Sequence, residues 1–148
     1  SDYPNATLCM VGPEKDGSLE STKKYTEELG LNVVFTGKLP KEKWLELSNN
    51  YDVFINTTHI DNTPISVMEA MAMGLPVIST NVGGIPYLLE DKVDGLLVAD
   101  CDNIAMANSI KYIIENPEIA SKIAYSARAK VEFFDWNSVK KLWNNLLK

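Results

Sequence analysis

Histidine and cysteine are scarce in this chain: 148 residues include one histidine, His59, and two cysteines, Cys9 and Cys101. The cysteines follow no paired spacing, so the sequence gives no sign of a disulfide framework, a structural zinc site or any other metal site. Two unpatterned thiols suit a reducing compartment. Positive charge is also short. Fourteen Lys and Arg against twenty Asp and Glu leave a formal net charge of -6, and no basic block interrupts the pattern, which argues against a nucleic-acid partner. No run approaches the roughly 20 apolar residues of a membrane span, and no signal-peptide pattern opens the chain. The expected location is cytoplasmic.

What is present is a globular composition. With 45% apolar and 23% charged residues, the chain can bury a core. Short apolar runs alternate with helical patterns. The runs are Leu8–Val11, Val33–Thr36, Val53–Asn56, Pro76–Thr80 and Gly95–Val98, continuous and β-branched as in strands buried on both faces. Between and after them, helices are expected over 18–29, 41–49, 63–73, 103–116, 117–133 and 137–147. Strand and helix in alternation predict a Rossmann-like three-layer α/β/α fold with a parallel sheet of about five or six strands. Residues 1–148 read as one domain. Ser1 to Ala6 look like the end of a connection, and the expectation is that the chain is a piece of a larger protein.

Between Asn62 and Leu89 only Glu69 is charged. An ionised carboxylate in so apolar a stretch is costly unless paired, protonated or kept for a ligand. Asn62 or Thr63 is expected to cap the helix, with Pro64 at its first position. Its free N–H groups would then lie at the carboxyl end of the sheet, where doubly wound folds bind ligands and helix N-termini favour phosphate. Glu69 leans back toward the same mouth, because helical side chains point toward the N-terminus. Asp61 lies eight residues earlier. Two carboxylates with donors between them suit a ligand rich in hydroxyls at both ends and anionic in the middle, such as a nucleotide sugar. The plainer alternative has Asp61 capping the helix and Glu69 paired with a neighbouring Lys or Arg.

Gly74 followed by Pro76 reads as a helix stop, and Gly83-Gly84 as a close backbone approach or a simple turn. The segment Gly12 to Gly17 has neither Walker nor dinucleotide spacing and is rejected as a phosphate loop. His59 reads as a solvated or capping group, and Met68, Met71 and Met73 as core. Phe133, Phe134, Trp136, Leu142, Trp143 and Leu146 suggest an amphipathic tail helix.

The run from Asp61 to Pro86 resembles the carboxyl-terminal domain of retaining glycosyltransferases of the GT-B fold, family 4, the glycosyl transferases group 1 domain. That family has an acid, seven residues, Glu-Ala-Met-Ala, a Gly-x-Pro-Val-Ile strand and a Gly-Gly turn. Here these are Asp61, then Glu69-Ala70-Met71-Ala72, Gly74-Leu75-Pro76-Val77-Ile78 and Gly83-Gly84. Asp94-Gly95-Leu96-Leu97-Val98, Val34-Phe35-Thr36-Gly37 and Tyr3-Pro4-Asn5-Ala6 extend the likeness along nearly the whole chain.

The resemblance implies the nucleotide-sugar-binding half of a GT-B enzyme that transfers a hexose to an acceptor hydroxyl in polysaccharide or glycoconjugate synthesis. It implies that Glu69 binds the donor's ribose hydroxyls and that Asp61, the catalytic candidate, contacts the transferred sugar. Asn62, Thr63, Pro64, Ile65 and Ser66 would present backbone to the sugar and diphosphate. Gly37, Lys38 and Leu39 would meet the nucleobase, with Gly83 and Gly84 facing the cleft. No cofactor or metal is expected, only a UDP- or GDP-linked sugar as donor substrate. The implied partners are the parent's own amino-terminal acceptor domain and, peripherally, a membrane surface. The family's diphosphate-binding Arg and Lys lie upstream of the equivalent of Leu8, so the chain alone is expected to be inactive. The tail helix would fold back on this domain or cross to the acceptor domain.

The sequence departs from the family pattern in three ways. The first acid is usually Glu, not Asp61; a frequent Gly-Phe-Gly is Asn62-Thr63-Pro64; and a common Glu after Gly-Gly-x-Pro is Tyr87. The competing readings are a non-catalytic α/β binding or scaffold module and another GT-B enzyme, such as a sugar-nucleotide epimerase or a phosphorylase. An epimerase would use histidines and acids at other spacings. A phosphorylase would need a cofactor lysine motif that is not found.

Overall fold

The structure, a computed structural model, describes residues 3–147; Ser1 and Asp2, part of the predicted opening connection, lie outside them. Contacts divide the chain into two compact units, Ser1–Glu46 and Leu47–Lys148. In the first, strand β1 (Leu8–Val11), helix α1 (Ser18–Glu28) and strand β2 (Val33–Gly37) form one βαβ crossover. The two strands are parallel, with Leu8 opposite Val33 and Met10 opposite Phe35. Helix α2 (Lys41–Ser48) spans the boundary between the units.

The second unit holds β3 (Phe54–Asn56), α3 (Ile65–Met73), β4 (Val77–Thr80), the short α4 (Ile85–Leu88) and β5 (Leu96–Val98). Helices α5 (Asn103–Glu115), α6 (Pro117–Glu132) and α7 (Trp136–Leu146) follow. Its strands are parallel in the order β3-β4-β5. The alternation along β4 decides the layering. Val77 joins a cluster with Val67, Ala70, Met71, Ile85 and Leu89 from α3, α4 and the turn that follows. Ile78 points the other way, into a cluster with Met106, Ile113 and Ile123 from α5 and α6. Both faces of β4 are covered, and all four of its residues are buried. Successive side chains on opposite faces, each meeting helices, make the α/β/α sandwich.

The helix stop at Gly74 forms as expected. Gly74 takes a left-handed φ of 76°, and its N–H bonds the Ala70 and Met71 carbonyls. Asp94 ties the turn before β5 to α6: its carboxylate accepts the Glu90 N–H at 2.6 Å and the Lys130 ammonium at 2.7 Å.

Several expectations are corrected. The described strands number five and are split between a two-stranded and a three-stranded sheet, not joined in one sheet. β1 is not buried on both faces, since Leu8, Met10 and Val11 are exposed; a unit of two strands and one full helix has too small an interior to cover them. The short helix α4 was not expected. The tail helix α7 forms but does not fold back to bury its apolar side: Trp136, Leu142, Trp143 and Leu146 stay exposed. Among the described residues no helix is long and apolar enough to cross a membrane.

Candidate functional site

The loop between β3 and α3 carries Asp61 to Pro64 of the predicted site, and three tethers fix its path. The Thr80 hydroxyl donates to the Thr58 carbonyl at 2.5 Å. The His59 ring Nδ1 pairs with the Asp100 carboxylate at 2.6 Å. The Gly84 N–H donates to the Asp61 carbonyl at 2.9 Å. The loop is thereby tied to the ends of both β4 and β5.

Gly83 and Gly84 do more than turn the chain. A Cβ built on Gly83 would overlap the Asp61 carbonyl oxygen, and one on Gly84 would overlap that of Asn62. No side chain fits between the two segments, so the Gly-Gly turn sets how deeply the 61–62 backbone sits. The resemblance implies that these glycines face the cleft; the structure packs them against the backbone of Asp61 and Asn62.

Helix α3 begins one residue later than the spacing suggested. Pro64 is the cap rather than the first helical residue, with φ -68° and ψ 115°, and no side chain caps the end. This corrects the assignment of Asn62 or Thr63 as cap. The extended ψ is the ordinary conformation of a cap residue, and φ is simply that of proline. The Pro64 carbonyl accepts from Val67 and Met68, which leaves the N–H groups of Ile65 and Ser66 outside the helical ladder. The first turn holds no acid. An open helix end of this kind presents partial positive charge.

Asp61 is half-buried, and among the described residues no hydrogen bond reaches its carboxylate. Glu69 is also half-buried and has an interaction of its own within the chain. Asn62, Thr63, Ile65 and Ser66 are exposed, whereas Pro64 is buried. The structure thus gathers Asp61 through Ser66, Gly83 and Gly84 around one helix start. Gly37, Lys38 and Leu39 belong to the first unit, at the end of β2. Gly37 there has a φ of 66° and accepts the Gly12 N–H at 3.0 Å.

One grouping escaped the sequence. His59, Asp100 and Cys101 bring a ring nitrogen, a carboxylate oxygen and a thiol within 4.8 Å of one another. The expectation that no metal-ligand cluster exists rested on separation along the chain; the fold closes that gap by placing the loops after β3 and β5 side by side. The His59 hydrogen bond holds the Asp100 carboxyl below its ordinary range, and the Asp100 charge pushes the Cys101 thiol up. An open groove lined by Asp91, Lys92, Asn108 and Tyr112 includes none of the predicted site residues.

Parallel strands wrapped by helices, with a pinned loop and an open helix start at the strands' carboxyl ends, define a Rossmann-like α/β domain, and that edge is where such folds take ligands. The model of the family Glycosyl transferases group 1 matches residues 1–130, and the chain belongs to that family. A D-inositol 3-phosphate glycosyltransferase of Saccharomonospora viridis is 32% identical over 135 residues, covering 87% of this chain and 31% of that protein. The chain therefore spans about a third of the length of this relative. Among solved structures, Anabaena Alr3699/HepE in complex with UDP superposes with a TM-score of 0.86 at 26% identity, over 97% of this chain and 41% of that one. The same protein in complex with UDP-glucose gives 0.84. The C-terminal domain of the group 1 family protein LpcC from Francisella tularensis gives 0.77 over 88% of this chain and 70% of that one. At 23% identity, LpcC speaks to the fold alone.

Proposed function

We propose that this chain is the donor-binding domain of a retaining glycosyltransferase, which moves a hexose from a nucleoside-diphosphate sugar to an acceptor hydroxyl. The observation that carries the reading is the uncapped start of α3 beside the unengaged Asp61 carboxylate, both held in place by Gly83-Gly84. The N–H groups of Ile65 and Ser66 meet the diphosphate, whose negative charge grows as the sugar leaves. Asp61 takes the hydroxyls of the transferred sugar. Glu69, about one turn into the helix, takes those of the ribose, and Gly37 to Leu39 meet the base. The complexes of HepE with UDP and UDP-glucose support a uridine nucleotide over a guanosine one. The acceptor falls to an amino-terminal domain of the parent protein, in keeping with the 41% of HepE that this chain covers. The exposed apolar side of α7 gives that domain a surface to rest on. We place the parent in the cytoplasm, in polysaccharide or glycoconjugate synthesis.

Calorimetric titration with UDP, GDP, ADP and UDP-glucose tests this reading. Saturable binding of UDP and UDP-glucose is expected. Folded Glu69→Ala and Glu69→Gln variants should lose the roughly 1.5–3 kcal/mol of a charge-assisted hydrogen bond, about tenfold to a hundredfold in affinity. A chain that binds none of the four ligands, or binds them equally well in both variants, overturns the assignment and leaves a scaffold module.

A further inference from the structure

His59, Asp100 and Cys101 serve no step of the reading above. They come from two loops at the carboxyl ends of β3 and β5, strands that flank β4 without touching each other. His59 Nδ1 lies 2.6 Å from Asp100 Oδ1 and 3.9 Å from Cys101 Sγ. Around a tetrahedral zinc ion, with bonds of about 2.0–2.3 Å, ligand atoms sit roughly 3.3–3.6 Å apart. The first must widen and the second narrow, each by less than 1 Å on this estimate, and the Asp100–Cys101 separation, within 4.8 Å, must come to the same range. The side chains are exposed and free to make that adjustment.

We propose that His59, Asp100 and Cys101 form a surface site for a zinc-class divalent ion that staples the loop after β3 to the loop after β5, with water as fourth ligand. The donor set selects the ion. Magnesium and calcium want oxygen ligands throughout, whereas one imidazole, one carboxylate and one thiolate suit zinc and its neighbours. No fourth protein ligand comes from Asp102, because its carboxylate caps α5 through the Ala105 N–H at 2.8 Å. The chain's formal charge of -6 favours a cation over an anion at its surface.

The backbone is already set for the third ligand. Cys101 holds a left-handed φ of 60°, which places its thiol beside the imidazole while Asp100, its neighbour, contacts the same ring. The thiolate is the form that binds a metal, so an ion bound here releases the thiol's proton to solvent. His59 lies two residues before Asp61, so the ion adds a further tether to the loop that Thr80 and Gly84 already hold.

Cobalt(II) titration of the reduced, metal-free chain reads the site directly. A thiolate-to-cobalt charge-transfer band together with tetrahedral visible bands should rise to one equivalent and bleach when zinc is added. Cys9→Ser should keep the spectrum. Cys101→Ser, which preserves side-chain size at an exposed turn, should lose the charge-transfer band. His59→Ala and Asp100→Asn should weaken cobalt binding by at least the roughly tenfold to hundredfold that even an outer partner of a metal site is worth. No charge-transfer band in the parent chain overturns the proposal. So does a band that survives in Cys101→Ser, or unchanged affinity in both His59→Ala and Asp100→Asn.

Discussion

Helices α1 and α3 start in nearly the same way and end up with opposite chemistry. Each has an acid three residues before its cap: Glu14 before Gly17, and Asp61 before Pro64. Glu14 folds back onto its own helix. One of its oxygens accepts the N–H groups of Lys15, Asp16 and Gly17, and the other that of Leu19 at 2.8 Å. The anion site at α1 is filled from within, which is why Gly12 to Gly17 is no phosphate loop. Asp61 accepts the Gly84 N–H through its carbonyl, and no side chain caps α3. A helix start is open to an anion when the chain does not satisfy it; we propose that α3 has such a start, set by a Gly-Gly turn remote in sequence.

The largest effect should come from removing that turn's emptiness. Gly84→Ala puts a Cβ into the Asn62 carbonyl, so either the loop or β4's end must move. Overpacking of this kind costs about 1–3 kcal/mol, several degrees in melting temperature for a chain of this size. UDP binding should fall with it, because the displaced 61–62 backbone no longer leads into an open helix start. Melting and titration of the same sample check both. A folded Gly84→Ala chain that binds UDP as the parent does would remove the turn from the account of the site.

A smaller change makes α3 resemble α1. Ser66→Glu sets a carboxylate in the first turn of α3, where it should stabilise the helix by about 0.3–1 kcal/mol. The same charge at about 5 Å from a diphosphate costs about 1–3 kcal/mol, depending on screening, or roughly fivefold to a hundredfold in affinity. Raised stability with weakened UDP binding is the expected pair of results. Raised stability with unchanged binding would mean that the diphosphate sits elsewhere.

Much of this contrast could be read in advance, and the unread parts share a cause. The five apolar runs became the five strands, and Gly74 stopped α3, because periodicity and left-handed glycines are local properties. The acids at 61 and 69 and the Gly-Gly pair were visible through their spacing. What failed was long-range. Pro64 became a cap because its ψ is extended, which a local preference for proline at the first helical position does not reveal. The grouping of two strands apart from three depends on pairing, which apolar runs do not encode. His59 meets Asp100 across 41 residues, and no spacing rule links them. Helix α4 spans four residues, about one turn, too short to show a period.

The smallest effect should come from opening α1. Glu14→Gln keeps an acceptor for part of the Asp16 and Gly17 contact but turns an amide toward the Leu19 N–H, so α1 should fray at its start. Amide exchange at Gly17 and Leu19 should quicken, while UDP binding stays unchanged, since α1's end holds no ligand in this account. Acidity sharpens the contrast. The N–H groups of Asp16 and Gly17 hold the Glu14 carboxyl below its ordinary 4.5. A group whose folded pKa is depressed contributes stability above its unfolded value and loses it as pH falls through the folded one. The parent chain should therefore be more stable than Glu14→Gln at neutral pH, and the gap should close below about pH 4.5 as the carboxyl protonates. A gap that persists undiminished into acid would mean that Glu14 acts through its shape rather than its charge, and that α1's start is closed by packing instead of by an anion.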